Sequence, residues 1–322
     1  MGNINITSFY RFYSIPESAI AQFKKNLENK ANELDILGLV ILGTEGVNTT
    51  FAGSEKSVNK FKDYFLNLEG FSHLSFKDSF ATAAPFRRFK VQIRKEICTL
   101  GAKTNALPKE SDTTHLSAQD WHKILTNKEE DYLLIDTRNW YETEVGKFKG
   151  AISPDIKEFT EFPTWLKENN IAKNKKILVY CTGGIRCEKS LPDMKASGYN
   201  NVYQLKDGIL RYLEEFPNQE FEGECFVFDH RVAVDQNLAP SSTYDLCPHC
   251  GQPSKDESTC IKCDSVAKVC TTCYQKDKRY HTCSKNCAHH YDLKPDKKIK
   301  PHSNAVTEYK KQRQAPGKVK AN

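Results

Sequence analysis

Twelve cysteines fall unevenly along the 322 residues, and in two places their spacing suits chemistry. The first is KKILVYCTGGIRCEKS, Lys175 to Ser190, where an apolar run ends at Cys181 and a glycine pair and an arginine follow. Such a run reads as a buried parallel strand, and open α/β sheets bind ligands at the carboxyl ends of their strands. Gly183 and Gly184 allow a tight turn that aims backbone N–H groups inward. A helix starting directly afterwards adds the positive end of its dipole. Both favour thiolate over thiol, so Cys181 is expected to be an activated nucleophile in the loop Thr182, Gly183, Gly184, Ile185, Arg186, Cys187.

Spacing narrows the chemistry. Cysteine phosphatases need C-x5-R, a cradle sized for phosphate. Here Arg186 gives C-x4-R, and Cys187 occupies the phosphatase arginine's place. The shorter loop suits a smaller guest, such as the outer sulfur of a persulfide. Cys187 can either resolve a disulfide with Cys181 or pack at the start of the helix.

The second place is the C-terminal third. Cys247, Cys250, Cys260, Cys263, Cys270, Cys273, Cys283 and Cys287 form four tight pairs, with nine residues between the first and second pairs and nine again between the third and fourth. Thiolates supplied in pairs by knuckles suit two structural Zn²⁺ sites of four cysteines each. The segment has too few apolar residues to fold unaided. Sequential sharing (247/250/260/263 and 270/273/283/287) is the first expectation and interleaved sharing the second, with His249 and His281 as substitute ligands.

These groups need elements to position them. Residues 1–99 read β-α-β-β-α-β, the split ferredoxin-like (acylphosphatase-like) plan. Its helices carry Ala19, Phe23 and Leu27, then Val58, Phe61, Phe65 and Leu68, at helical spacing. Residues 100–112 are polar and read as a linker. From 113 to 220 strands and helices alternate, with HLSAQDWHKIL a helix capped by Ser117 and Asp120. The cysteine-rich region is drawn at 221–290, and 291–322 as a disordered basic tail. The fold class is therefore multidomain α/β.

The net charge is +6, and the last 35 residues hold nine Lys/Arg against three Asp/Glu, so the remainder is balanced. Eight thiolates around two Zn²⁺ would bring the total down to +2, which weakens the case for a polyanion partner from overall charge. A local stripe argues better. In PFRRFKVQIRKEI a strand puts Arg88, Lys90, Gln92 and Arg94 on one face, able to track RNA phosphates, with Phe89, Val91 and Ile93 mostly on the core side. SFYRFYS offers aromatics for base stacking, though core packing claims at least half of them. Met1 to Ile20 has no basic start followed by an apolar block, and no run of about 18 apolar residues exists, so a cytoplasmic protein without membrane spans is expected.

At the loop the sequence resembles the rhodanese domain. HLSAQDWHKIL, YLLIDTRNWYETEVGKFKGAI, CTGGIRCEKS and VYQLKDGI match its segments in order. The resemblance implies that Asp136 and Arg138 help hold the active loop, with Asp136 a partner for Arg186. Where rhodaneses carry Gly-His-Ile, this chain has Gly146-Lys147-Phe148, which leaves the histidine's core role empty. With GTEGVNTTFAG and RFKVQIRKEI in the first part and cysteines in the last, the whole arrangement resembles the bacterial rhodanese-domain tRNA uridine(34) hydroxylase family (TrhO).

That resemblance implies O₂ as co-substrate, C5 hydroxylation of the wobble uridine of tRNA as the first step towards 5-carboxymethoxyuridine, and Cys181 as the essential residue and a persulfide carrier. The residues themselves offer no G-x-G-x-x-G, no P-loop and only one H-x-D, at His290–Asp292, so the electron donor stays unknown. One route is addition of the Cys181 thiolate or persulfide to uracil C6, which enriches C5 in electrons. Two rivals stay open: a sulfurtransferase passing persulfide sulfur to a thiol or RNA, with a sulfur or electron donor protein as partner, and a non-catalytic zinc-stabilised RNA-binding protein.

Overall fold

The structure is a computed structural model describing residues 4–101, 113–127 and 129–301; most of the expected linker and residues 302–322 of the expected tail lie outside them. The first unit runs β1 (Ile4–Phe12), α1 (Glu17–Glu33), β2 (Leu37–Gly43), β3 (Gly46–Gly53), α2 (Glu55–Leu66), β4 (Lys77–Ala81) and β5 (Phe89–Ile93). Its sheet order β4-β1-β3-β2-β5 is the ferredoxin-like order with β5 added parallel to β2 as an edge. Alternation along the strands divides the side chains. Phe9, Val40, Leu42, Val47, Phe51 and Val91 pack under Leu27, Phe61 and Phe65 of the two helices. Ile6, Ser8, Tyr10, Leu39, Ile41 and Asn48 face the other way, into a cavity.

The second unit comprises β6 (His115–Leu116), α3 (Ala118–Thr126), β7 (Leu133–Asp136), α4 (Trp140–Thr143), β8 (Gly146–Phe148), α5 (Phe162–Glu168), β9 (Ile177–Tyr180), α6 (Ile185–Ala196), β10 (Val202–Leu205) and α7 (Gly208–Glu215). A parallel sheet in the order β6-β10-β9-β7 is buried on both faces, which explains the unbroken apolar composition of β9. The Ser117 hydroxyl caps α3 by accepting the Asp120 N–H at 3.1 Å.

Packing crosses two of the expected limits. Leu100, assigned to the linker, is buried with Ile135 and Val179 of the rhodanese-like core. Residues 221–234, assigned to the cysteine-rich region, also belong with this core: β11 (Phe221–Gly223) pairs with β8, and β12 (Cys225–Phe226) with β13 (Ala233–Val234). Phe221, Cys225 and Val227 are packed there because the exposed edge of β8 needs a cover. Lys147 points to solvent, and Phe148 fills the core against Trp121, Tyr180, Tyr212 and Phe221.

The last unit is made of short pieces: β14 (Asp245–Leu246), β15 (Pro253–Ser254), β16 (Glu257–Thr259), β17 (Val266–Lys268), α8 (Thr271–Lys276) and α9 (Lys285–Leu293). The expected tail begins too early at 291. α9 continues to Leu293, Ile299 packs on a cysteine cluster, and the Lys262 ammonium donates to the carbonyls of Lys294 (2.6 Å) and Pro295 (3.2 Å).

Candidate active site

Cys181 follows β9 directly, and α6 begins at Ile185. Gly184 caps the helix at φ +93°, a left-handed conformation, and a Cβ there would come within 2.9 Å of the Tyr10 hydroxyl. Gly183 has no such need, since its Cβ would meet only Lys77 Cε at 3.7 Å. A second obligatory glycine, not expected from sequence, lies beneath. At Gly208 (φ +70°) a Cβ would fall 2.5 Å from the Cys181 carbonyl oxygen. That close approach lets Ile209 N–H and Leu210 N–H donate to the carbonyls of Cys181 (3.0 Å) and Thr182 (3.1 Å), pinning the loop from below.

The Gly184 N–H donates to Cys181 Sγ at 3.1 Å. Burial of the sulfur pushes its pKa up. The Cys187 thiol, the Arg186 charge and the N–H groups of residues 186 and 187 outweigh burial and bring it down to about 6. Cys187 moves the opposite way: burial and the neighbouring Cys181 sulfur raise it, so one thiol of the pair ionises and the other stays a donor. Cys187 is fully buried, also beside the Thr137 hydroxyl at 3.8 Å.

Arg186 does not pair with Asp136. Its guanidinium makes a bidentate contact with Glu142 of α4, at 2.8 and 2.7 Å, and Glu142 is completely buried. Burial alone would make the arginine easier to deprotonate, but Glu142 holds it firmly charged. Asp136 is unavailable because both its oxygens accept from Arg138, at 2.7 to 3.1 Å, and Arg138 also donates to the Gly146 carbonyl at 2.6 Å. That pair is fully buried rather than a surface ion pair. It ties the end of β7 to β8, one layer below the loop. Glu142 is the residue sequence reasoning missed. Its signal was present: Asn139 and Glu142 form a capping box, and a buried arginine requires a carboxylate.

The first unit roofs this site. Tyr10 donates to Glu188 of α6 at 2.9 Å, and Glu188 also accepts from Gln204 at 2.8 Å. Lys189 bridges Glu45 and Glu96 at 2.6 and 2.7 Å. Lys77, almost wholly buried, contacts Asp207 at 3.3 Å and lies over the Tyr10 ring at 4.9 Å. Between roof and loop lies a cavity of about 580 Å³, within the range that holds small ligands, lined by Cys181, Thr182, Gly183, Arg186, Tyr10 and Lys77 among others. Ile185 and Arg94 also reach it, as does Cys98, whose thiol burial pushes up to about 12. Cys181 is only 1% exposed; it packs with Val179 and Cys187 in the core beneath and also lines this space.

The stripe on β5 divides. Arg88, Lys90 and Gln92 line a second cavity and Arg94 the first, while Phe89 and Val91 face the helices and Ile93 is exposed. Of the SFYRFYS aromatics, Phe9 and Tyr13 pack in the core and Tyr10 is spent on Glu188.

The eight cysteines assemble in the interleaved pattern, not the sequential one. Cys247, Cys250, Cys270 and Cys273 form one cluster, and Cys260, Cys263, Cys283 and Cys287 the other, with sulfurs within 4.8 Å of one another. Observed Sγ–Sγ distances of 3.6, 3.4, 3.6 and 3.7 Å approach the ~3.8 Å separation that a tetrahedral centre with bonds of about 2.3 Å imposes. Both clusters can therefore hold metal ions. His249 and His281 are not substitutes; their Nε2 atoms bond to the carbonyls of Thr282 and Tyr274, each at 2.8 Å.

Comparison with known proteins agrees along the chain. Residues 4–97 match the UPF0176 acylphosphatase like domain, 117–215 the Rhodanese-like domain and 222–288 the family described as Rhodanase C-terminal. A tRNA uridine(34) hydroxylase of Bdellovibrio bacteriovorus is 48% identical over 92% of this chain and 84% of its own length. Relatives of the same name from Legionella pneumophila (46%, covering 74% of this chain and 93% of theirs) and Sinorhizobium medicae (40%, 85% and 86%) are similar. With an acylphosphatase-like unit roofing a rhodanese loop and paired cysteine clusters behind, the chain belongs to the tRNA uridine(34) hydroxylase family.

Proposed function

We propose that this protein is an enzyme that hydroxylates uridine at C5 in the wobble position of tRNA, with O₂ as co-substrate and Cys181 as nucleophile. The observation that carries this reading is a low-pKa sulfur facing a nucleoside-sized cavity under a second domain. The Cys181 thiolate adds to uracil C6, and the electron pair displaced from the C5–C6 bond makes C5 nucleophilic towards oxygen. One oxygen atom enters the base. The other leaves as water, taking two electrons and two protons from an external donor, and loss of the C5 proton with departure of the sulfur restores the ring.

In this reading the cradle's amides, the Cys187 thiol and Arg186 hold the sulfur ionised before attack. Glu142 keeps Arg186 in place, and Asp136 and Arg138 act as positioning residues beneath it. Arg88, Lys90 and Arg94 contact RNA phosphate. The two cysteine clusters hold structural Zn²⁺, which supplies folding energy and no reaction step. The site of action is the cytoplasm, where tRNA is found; among the described residues no helix is long and apolar enough to cross a membrane.

The test is nucleoside mass spectrometry of tRNA from cells lacking the protein, complemented with wild type or Cys181→Ser. Loss of the oxygen-bearing wobble uridine, restored by wild type alone, is expected. Loss of a thiolated base instead supports the sulfurtransferase, and full hydroxylation by Cys181→Ser removes the cysteine from the reaction.

A further inference from the structure

The Cys181 cavity has a neighbour. A second cavity of about 790 Å³ runs along β5, with Arg87, Arg88 and Lys90 on one bank and the knuckle Cys250-Gly251-Gln252 on the other. The two meet, because Leu39, Phe86, Val227, Phe228 and Asp229 line both. Phe228 stands at the junction. It is 61% exposed, lies edge-on to Phe226 at 5.1 Å, and has the Arg186 guanidinium 5.8 Å from its ring. An exposed phenylalanine beside a reactive loop belongs to none of the hydrophobic cores, so core packing does not account for it.

Charge along the groove has one sign. Arg87, Arg88 and Lys90 are exposed and pair with no carboxylate among the described residues. Asp229, the acid at the junction, is neutralised by Arg231 through contacts of 2.7 to 3.2 Å. Burial and the Arg87 charge lower the pKa of His230. A cationic bank leading to an uncovered aromatic face is the combination that binds unpaired nucleotides, by phosphate contact and base stacking. It does not suit a protein segment, which offers no regular run of negative charge.

We infer that this groove is the path of the single-stranded RNA flanking the target nucleotide, with phosphates along β5, one base stacked on Phe228 and the reacting base in the Cys181 cavity. The inference rests on the proposed RNA reaction and deepens it: Phe228 is a positioning residue, and the first cysteine cluster shapes the substrate groove through its 250–252 knuckle.

The experiment uses the full chain and an anticodon stem–loop RNA, with a blunt duplex of equal length as control. Losing a stacked base weakens binding roughly 5- to 150-fold, so Phe228→Leu is expected to lose that much affinity for the stem–loop and little for the duplex. Phe228→Trp keeps a ring and is expected to bind like wild type, with indole emission, taken as the difference from wild type, quenched by the stem–loop and not by the duplex. Arg88→Gln with Lys90→Gln is expected to flatten the dependence of affinity on salt by about 0.7 per lost phosphate contact. Unchanged affinity in folded Phe228→Leu, unresponsive emission in Phe228→Trp, or a wild type that does not bind the stem–loop overturns the inference. Hydroxylation is scored separately. A wild type that binds through Phe228 yet leaves uridine unmodified sinks the proposed reaction and not the groove, whereas normal turnover by Phe228→Leu at unchanged affinity does the reverse.

Discussion

The Arg186–Glu142 pair should tune Cys181 in opposite directions when its members are removed one at a time. The sulfur's pKa falls from 9.0 to about 6, a difference of about 4 kcal/mol between its protonation states. Burial opposes that fall, so the Cys187 thiol, Arg186 and the amides together supply more than the net effect. Among these lowering causes the guanidinium charge stands second to the Cys187 thiol, and an opposite charge this close typically moves a midpoint by about 1–3 in pH. Arg186→Met also leaves the Glu142 carboxylate buried without its cation, and that negative charge lifts the sulfur further. A midpoint of about 7 to 8 is expected, so at pH 7 the thiolate falls from about ten per thiol to between one per thiol and one per ten. Glu142→Gln leaves Arg186 uncompensated and lowers the midpoint below that of wild type. The assay is the rate of iodoacetamide alkylation at Cys181 against pH, read by peptide mass spectrometry. A midpoint in Arg186→Met at or below the wild-type value, or a rise in Glu142→Gln, refutes the charge argument and leaves the Cys187 thiol and the amide cradle as the causes. The same shift links to stability. With the folded pKa depressed, ionisation stabilises the fold fully above about pH 9, and that contribution is lost as pH falls through about 6.

Gly184→Ala, with a Cβ 2.9 Å from the Tyr10 hydroxyl at φ +93°, is expected to destabilise by about 1–3 kcal/mol in denaturant unfolding, while Gly183→Ala stays near wild type; equal costs would show that the loop is not built as described. Asp207→Asn strands the buried Lys77 and should cost about 3–5 kcal/mol, most of it recovered in the double variant with Lys77→Met, and an additive pair would deny the coupling. Because the two cysteine clusters interleave, chelator titration should release two metal ions in one cooperative step with loss of structure in residues 245–301; two independent releases would favour the sequential arrangement.

The chain's strands and the Cys181 loop were legible because each rests on local signals. β9 is four apolar residues in a row, α3 carries its own cap, and C-x4-R sets the length of the loop between the sulfur and the arginine. The partner of Arg186 was not legible in the same way. Asp136 and Glu142 both precede the loop in sequence, and only the closure of Asp136 on Arg138 two residues away leaves Glu142 as the counter-charge. Cluster pairing was ambiguous for a related reason. The two nine-residue spacers are equal, so both arrangements satisfy every knuckle, and the choice depends on the hairpins β14–β15 and β16–β17 that set the knuckles side by side. Phe228 lies in FVFDH, where alternation gives Val227 to the core and leaves its neighbours unassigned. That Phe228 shares a groove with Arg88 and Lys90 of β5 emerges only from the fold.

The roof explains why a buried sulfur is still usable. At 1% exposure the Cys181 sulfur is shielded from bulk water, yet the space it lines is closed on one side by Tyr10, Lys77 and Arg94 of another domain. Glu188 and Lys189, the residues on α6 directly after Cys187, are the ones bonded to that domain. Holding the roof and holding the helix that activates the sulfur are therefore one set of contacts. A rhodanese domain alone would keep the cradle and lose the enclosure. In the proposed reaction the ferredoxin-like domain would thus act by geometry, since Tyr10, Lys77 and Arg94 bound the volume that the base would share with the sulfur.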